Sequence, residues 1–319
     1  MLIMVLYHWI NYFIGLQWGY YRYLRFLTPS FIFITGFMIS NVYLSKYQAT
    51  DRRLPKRLFT RGLKLLAIFL VLNLARTYVV PVIGTGVISG NLSDARNIFT
   101  VFVSGNLPDM GGKLVSFSIL VPISYLLMLS GALMLPYRFY TYTFHVACVL
   151  FLLCIVVLRF IGMESANLEL ITIGMVGVLT GFMPIAAIND FVRHAYLVGL
   201  AYMCYTIAIA IWNVPFALQA LGVPLSLTVI YLAGISGRDS NKIRDEIILL
   251  GKYSLFGYIS QIVILQILAA SLRHVNLGFG VLSASFVAAV VLTILSVEAI
   301  DRLRARLVSI ERVYKAVFA

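Results

Sequence analysis

The sequence predicts an all-α fold: a polytopic membrane protein with about ten transmembrane helices and both termini in the cytoplasm. Of its 319 residues, 61% are hydrophobic and 12% are charged, and the mean hydropathy is +0.95. Soluble domains are about 45–50% apolar and about 25% charged. The apolar residues form continuous runs of the roughly 20 residues that a helix needs to cross hydrocarbon, whereas transmembrane barrels show short alternating segments.

Charge gives the orientation of these runs. The ten predicted spans are residues 1–16, 24–45, 62–82, 114–134, 138–161, 170–189, 194–213, 215–235, 249–271 and 277–298. With the amino terminus in the cytoplasm, 18 basic residues fall in the inner loops and the tail, and six fall in the outer loops. Basic residues collect on the cytoplasmic side of membrane proteins, so the net charge of +13 indicates topology rather than nucleic-acid binding.

The first span, "MLIMVLYHWINYF", contains a histidine. His8 lies ten residues before Trp18, which opens an aromatic cluster typical of a membrane interface. At about 1.5 Å per residue this places His8 about 15 Å below the interface, near the bilayer midplane. Ionisable groups are costly at that depth, so they usually face the bundle interior or a wet cavity and indicate a functional path.

Asn11 and Tyr12 follow His8 at i+3 and i+4, so the three form one polar stripe on a helix. Burial in hydrocarbon disfavours the imidazolium form, and a neutral imidazole can serve as a general base. A neutral histidine that only donates a hydrogen bond to a neighbouring helix accounts for the pattern equally well. The span has about sixteen residues and no basic flank before it, so we expect the native chain to begin further upstream.

The third span contains Arg76, toward its outer end, with Asn73 one turn earlier. Arg76 is a second candidate for contacts with substrate, either to acceptor hydroxyls or to an oxyanion. Extension of the side chain to the outer interface, or pairing with a buried acceptor, explains it more simply. The outer connection that follows, residues 83–113, includes "NLSDARNIFTVFV", which predicts a short helix over the outer mouth.

The remaining spans end in a basic tail. We predict one transmembrane domain over residues 1–299 and an amphipathic cytoplasmic tail helix over residues 300–319. Three cysteines lie inside apolar runs, and their odd number does not indicate a disulfide framework. The four histidines and three cysteines nowhere cluster at ligand spacing, so no metal site is predicted.

Three stretches, "VLYHW", "FLTPSFIFITGFMIS" and "RRLPKRLFTRGLKLLAIF", resemble the transmembrane acyltransferase superfamily. This superfamily includes the acyltransferase type 3 family, the heparan-α-glucosaminide N-acetyltransferase family and the succinyltransferase of osmoregulated periplasmic glucans. The resemblance covers about the first 80 residues and implies that His8 is catalytic. The family's arginine eleven residues before the histidine would fall before residue 1.

The family's phenylalanine-rich block in the second span is matched by "FIFITGF", with Thr35 where the family has serine. The basic start of the family's third span is matched by Arg57 and Arg61, which share one helical face. Guanidinium groups bind phosphate oxygens with paired donors, so the resemblance implies that these two bind the phosphates of coenzyme A. Taken singly, each arginine is also explained by the positive-inside rule.

The function implied by the resemblance is transfer of an acetyl, succinyl or similar acyl group from cytoplasmic acyl-CoA to an extracytoplasmic glycan or other hydroxyl or amine acceptor. The co-substrate is acyl-CoA, no permanently bound cofactor is implied, and the location would be the inner membrane of a bacterium. His8 would act as the base, with Asn11, Tyr12 and Arg76 near the substrate. Two alternatives stay open: a ten-span secondary transporter, and a truncated, inactive homologue of these acyltransferases.

Overall fold

The computed structural model describes residues 2–15, 19, 21–47, 53–82, 100–105, 117–212, 215–236, 241–272, 275 and 278–318. Every regular element within these ranges is helical. In chain order the helices are α1 (Leu2–Phe13), α2 (Tyr21–Leu24), α3 (Leu27–Met38) with a π-helical continuation (Ile39–Leu44), α4 (Arg53–Val82), α5 (Leu120–Tyr137), α6 (Thr143–Phe160), α7 (Ala166–Gly181), α8 (Ile185–Val192), α9 (Ala195–Trp212), α10 (Phe216–Ser236), α11 (Asn241–Lys252), α12 (Ser254–Ser271), α13 (Phe279–Arg306) and α14 (Val308–Phe318).

Seven helical segments in the described part of the chain are long and apolar enough to cross a membrane. They are Arg22–Leu44, Leu120–Tyr137, Thr143–Phe160, Ala195–Trp212, Phe216–Gly234, Ser254–Ser271 and Phe279–Arg306. Each overlaps one predicted span, with ends that differ by up to eight residues. The prediction of an all-helical, polytopic membrane protein is confirmed at this level.

The other three predicted spans lie on α1, α4 and α7, which are not among those seven. Helices α1 and α7 have 12 and 16 residues, fewer than the roughly 20 of a full crossing. Helix α4 begins at Arg53, nine residues before the predicted span, because the basic segment continues the helix and Pro55 lies within its first turn, where proline is tolerated. Most of the predicted outer helix lies outside the described residues.

The chain divides into two compact units. The first contains α1, α2 and the chain from Ala233 onwards, and its core is a cluster of buried residues that includes Val5, Leu265 and Ala289. His8 contacts Tyr258 on α12, and Tyr12, one turn later, accepts a hydrogen bond from Gln266 further along α12. Since both contacts advance in the same direction, α1 and α12 run parallel.

The second unit extends from Arg25 to Leu232, apart from residues 80–86, and is centred on the packing of α3 against α7. Here the two backbones approach closely, since a Cβ added at Gly36 or Gly177 would collide with a backbone carbonyl oxygen of the facing helix. The Ser40 hydroxyl also donates a hydrogen bond to the Val178 carbonyl at 2.6 Å. Small residues at such crossings are typical of membrane helices, whose association depends on close packing.

The start of α7 also anchors the segment 100–105 in the second unit. The Asn167 side-chain amide donates hydrogen bonds to the carbonyl oxygens of Val101 and Phe102 at 2.8 and 3.1 Å. Gly105, with φ of 72°, lies so close to Asn167 that a Cβ would collide with it. Residues 100–103, which end the predicted outer helix, are helical and held against α7.

The tail helix α14 is attached to the first unit through Arg304. The Arg304 guanidinium donates to Glu311 at 2.5 Å and lies 3.9 Å from the ring centre of Tyr314. It also donates to the hydroxyl of Tyr253, which lies between α11 and α12. Helix α13 continues to Arg306, so the tail helix begins at Val308 rather than at residue 300.

This attachment should be insensitive to pH in the neutral and mildly acidic range. Hydrogen bonds from Arg304 and Lys315 lower the pKa of Glu311 from 4.5 to about 2. Because the folded-state pKa is lowered, the contribution of the carboxylate is complete above about pH 4.5 and is lost as the pH falls through about 2. We expect hydrogen exchange in α14, corrected for intrinsic rates, to be unchanged between pH 7 and 5 and faster at both in Glu311→Gln. Faster exchange already at pH 5 in the unmodified chain would contradict this.

Candidate functional site

The polar stripe predicted on the first span lies on α1, as the i, i+3, i+4 spacing requires. His8, Asn11 and Tyr12 are partly buried, while Val5 and Ile10 of the same helix enter the apolar core of the first unit. Trp9 points to α13, where its indole N–H donates a hydrogen bond to the Ser285 hydroxyl at 2.9 Å. The apolar positions and Trp9 therefore fix the rotation of α1, which leaves the polar stripe on another face.

The His8 imidazole is enclosed by aromatic rings. Its ring centre lies 5.1 Å from that of Tyr7, in an edge-on arrangement, and 5.9 Å from that of Tyr258 on α12. The Nε2 atom is buried and has no hydrogen-bond partner among the described residues. A buried nitrogen without a partner is unfavourable, because the hydrogen bond that it makes with water is lost and not replaced. Among the described residues, Nε2 is therefore a ring nitrogen whose hydrogen-bonding capacity is not used.

Further polar groups in the same unit were not predicted from the sequence. Gln261 is fully buried on α12, one turn after Tyr258, and neither its amide nitrogen nor its amide oxygen has a partner in the part of the chain that the structure describes. The Oδ1 atom of Asn11 is in the same condition. In contrast, Gln266 donates a hydrogen bond to the Tyr12 hydroxyl at 3.1 Å. The presence of two glutamines, Gln261 and Gln266, in an apolar span was the feature of the sequence that could have indicated these polar groups.

The two arginines at the start of α4 lie in the second unit, whereas His8 lies in the first. Arg57 donates a hydrogen bond to the Tyr47 hydroxyl at 2.5 Å, and the Arg61 guanidinium lies 5.3 Å from the ring centre of Tyr43. Arg57 is exposed and Arg61 is half-buried. Each guanidinium is thus oriented by a tyrosine at the end of the second predicted span, a contact that the spacing of the arginines alone did not reveal.

The "ITGF" block has a packing role in the structure. Gly36 provides the close approach of α3 to α7, and the Thr35 hydroxyl donates to the Phe31 carbonyl within α3. These contacts explain both residues without a ligand. Arg76 is on the helical backbone of α4, but its side chain is outside the described residues.

Among the described residues, no group of three or more histidines, cysteines or acidic residues could hold a metal ion. No protein-family model, no curated protein and no solved structure matches the chain. The predicted site residues that the structure describes include a partly buried imidazole in the first unit and two guanidinium groups beside tyrosines in the second.

Proposed function

We propose that this chain is an integral membrane acyltransferase that moves a short acyl group, acetyl or succinyl, from cytoplasmic acyl-CoA to a hydroxyl or amine of an extracytoplasmic glycan. The observation that carries the proposal is the buried Nε2 atom of His8, which has no hydrogen-bond partner among the described residues. An unpartnered imidazole nitrogen at membrane depth is costly, so its retention favours a role with substrate.

In the proposed reaction His8 acts as the general base through Nε2. The nitrogen accepts the proton of the acceptor hydroxyl or amine as the acceptor oxygen or nitrogen attacks the thioester carbonyl carbon. Collapse of the tetrahedral intermediate breaks the carbon–sulfur bond, and the leaving thiolate takes the proton from the imidazolium. A two-step variant, in which Nε2 attacks the thioester and forms an acyl-histidine, uses the same atom.

Arg57 and Arg61 are proposed to bind the phosphates of the acyl-CoA. Their tyrosine partners support this role, because a guanidinium held in one orientation loses less conformational freedom when it binds an anion. The positive charges lie at the end of α4 that the predicted topology places in the cytoplasm, where acyl-CoA is available.

Removal of Arg57 or Arg61 should weaken acyl-CoA binding. For Arg57→Gln and Arg61→Gln we expect the KM for acyl-CoA to rise by roughly 10-fold to 100-fold each, the value of a hydrogen bond to a charged group, with a smaller change in kcat. Lys56→Gln is the matched control, since it removes a charge from an exposed neighbour on the same helix. Equal KM values in all three variants would contradict the assignment.

The proposal includes ten spans, with both termini in the cytoplasm of a bacterial inner membrane. Helix directions within the first unit support this topology, since α1 and α12 run parallel, as spans one and nine should. Trp9 joins α1 to α13 through its hydrogen bond to Ser285, so the helix of span ten packs beside that of span one. Labelling of single cysteines at positions 46 and 312 by an impermeant reagent tests it, because both should react only from the cytoplasmic face.

A further inference from the structure

The connection between α13 and α14 contains a network of ion pairs that involves all the carboxylates of that region. Asp301 accepts from Lys252 at 3.0 Å, and Glu298 accepts from Arg302 at 2.7 Å. Glu311 accepts from Arg304 and also from Lys315, at 2.5 and 3.0 Å. The acidic side chains of residues 298–315 are therefore all matched by cations.

Two guanidinium groups are left over. Arg306 and Arg312 are exposed, and the structure gives neither a carboxylate partner among the residues that it describes. Arg306 ends α13, and Arg312 lies on α14, on the side opposite the Ile310 and Tyr314 side that faces the protein. Because the Arg304–Glu311 ion pair joins α13 to α14, both charges are presented on a defined surface rather than on a free tail.

Exposed apolar residues accompany these charges. Val308 and Val313 of α14 are 67% and 64% exposed, and Val317 is also exposed. With Ile310 and Tyr314 turned toward the protein, α14 buries one part of its apolar stripe and leaves Val313 and Val317 at the edge of that stripe uncovered. Arg312 lies among the exposed valines of α14, and Arg306 lies just before that helix. Basic residues beside exposed apolar ones are complementary to the boundary between lipid headgroups and acyl chains.

We propose that the surface formed by Arg306, Val308, Arg312, Val313 and Val317 binds the anionic phospholipids of the leaflet at which the tail lies. The two unpaired guanidinium groups bind lipid phosphates, and the valines enter the acyl boundary. A soluble phosphate would satisfy the arginines but would leave the valines in water, so the lipid fits the whole surface. The inference does not depend on acyl transfer.

The test uses the whole protein in nanodiscs, with a nitroxide at Val313→Cys in a chain whose three native cysteines are replaced by alanine. In discs of phosphatidylcholine with 30% phosphatidylglycerol, we expect the nitroxide to lie below the phosphate plane, with high oxygen and low nickel-chelate accessibility. In the variant with both Arg306→Gln and Arg312→Gln it should move toward water. Titration with phosphatidylglycerol should show roughly 30-fold weaker binding in this variant, since each basic residue near an anionic surface contributes about fivefold.

The matched control combines Arg302→Gln with Lys315→Gln, which removes the same charge from cations that already have carboxylate partners. It should retain the depth and the binding of the parent. The same depth in discs of pure phosphatidylcholine and in anionic discs, with no effect of the arginine substitutions, would overturn the proposal. So would competition by inorganic phosphate at millimolar concentration, which would assign the arginines to a soluble anion.

Discussion

Replacement of His8 with alanine is expected to abolish acyl transfer while the protein still reaches the membrane. A general base contributes about 10²-fold to 10⁴-fold to a reaction rate, and a base that also forms a covalent intermediate contributes more. His8 is only partly buried, and its Nε2 atom makes no hydrogen bond to a described residue. Its removal should therefore have little effect on folding. The measurement is release of free CoA thiol from acyl-CoA in reconstituted vesicles that contain acceptor.

His194→Ala is the control for this experiment. His194 is exposed, and its Nδ1 atom lies 3.3 Å from the carbonyl oxygen of Asp190, four residues earlier. It belongs to the second unit, whereas His8 belongs to the first. It should retain full activity. His8→Ala with unchanged activity would refute the catalytic assignment, and His8→Ala with an altered melting temperature in detergent would indicate a structural role for the ring.

Replacement of Gly177 with valine is expected to disrupt the second unit. A Cβ at this position would collide with the Phe33 carbonyl oxygen, which belongs to backbone and cannot rotate away. Overpacking of a close contact costs about 1–3 kcal/mol and more when backbone must move. We expect a large fall in the melting temperature of the purified protein, or loss of the folded fraction during expression. Gly36→Val should have the same effect, since its Cβ would meet the Gly174 carbonyl oxygen.

Gly199→Val distinguishes packing from helix propensity. Gly199 is also inside a helix, α9, but a Cβ there would meet no atom within 4 Å. The substitution should leave stability close to that of the parent, because valine is slightly better than glycine in a helix. Equal losses in Gly177→Val and Gly199→Val would contradict the close approach of α3 and α7.

Local sequence patterns were sufficient to predict the all-helical class and the seven long apolar helices, because a long apolar run satisfies its backbone groups in hydrocarbon by forming a helix. They were less informative about helix length. The basic segment before span three contains no helix-breaking residue after Pro55, so α4 begins at Arg53, and the charge pattern that indicated a loop was misleading on this point. The glycines of α7 were not recognised as a packing surface, because their partner, α3, is more than 130 residues away in the chain.

Only the local part of the candidate site was predictable from the sequence. His8 stands out because an imidazole near the bilayer midplane is costly. Its predicted depth requires only the number of residues between His8 and Trp18. Tyr258, by contrast, is about 250 residues away, and its contact with His8 depends on the packing of α12, the helix that also carries Gln261. Tyr43 and Tyr47 were overlooked because aromatic residues at a helix end already have an explanation at the membrane interface.

The most direct test of the account is a vectorial transfer assay in sealed inside-out vesicles, with acyl-CoA labelled in both the acyl group and the CoA and added to the cytoplasmic face. Glycan acceptor is enclosed within the vesicles. We predict that the acyl label becomes attached to the enclosed glycan while the CoA label stays outside. Entry of both labels together, or of neither, would contradict acyl transfer, and entry of both would favour the transporter.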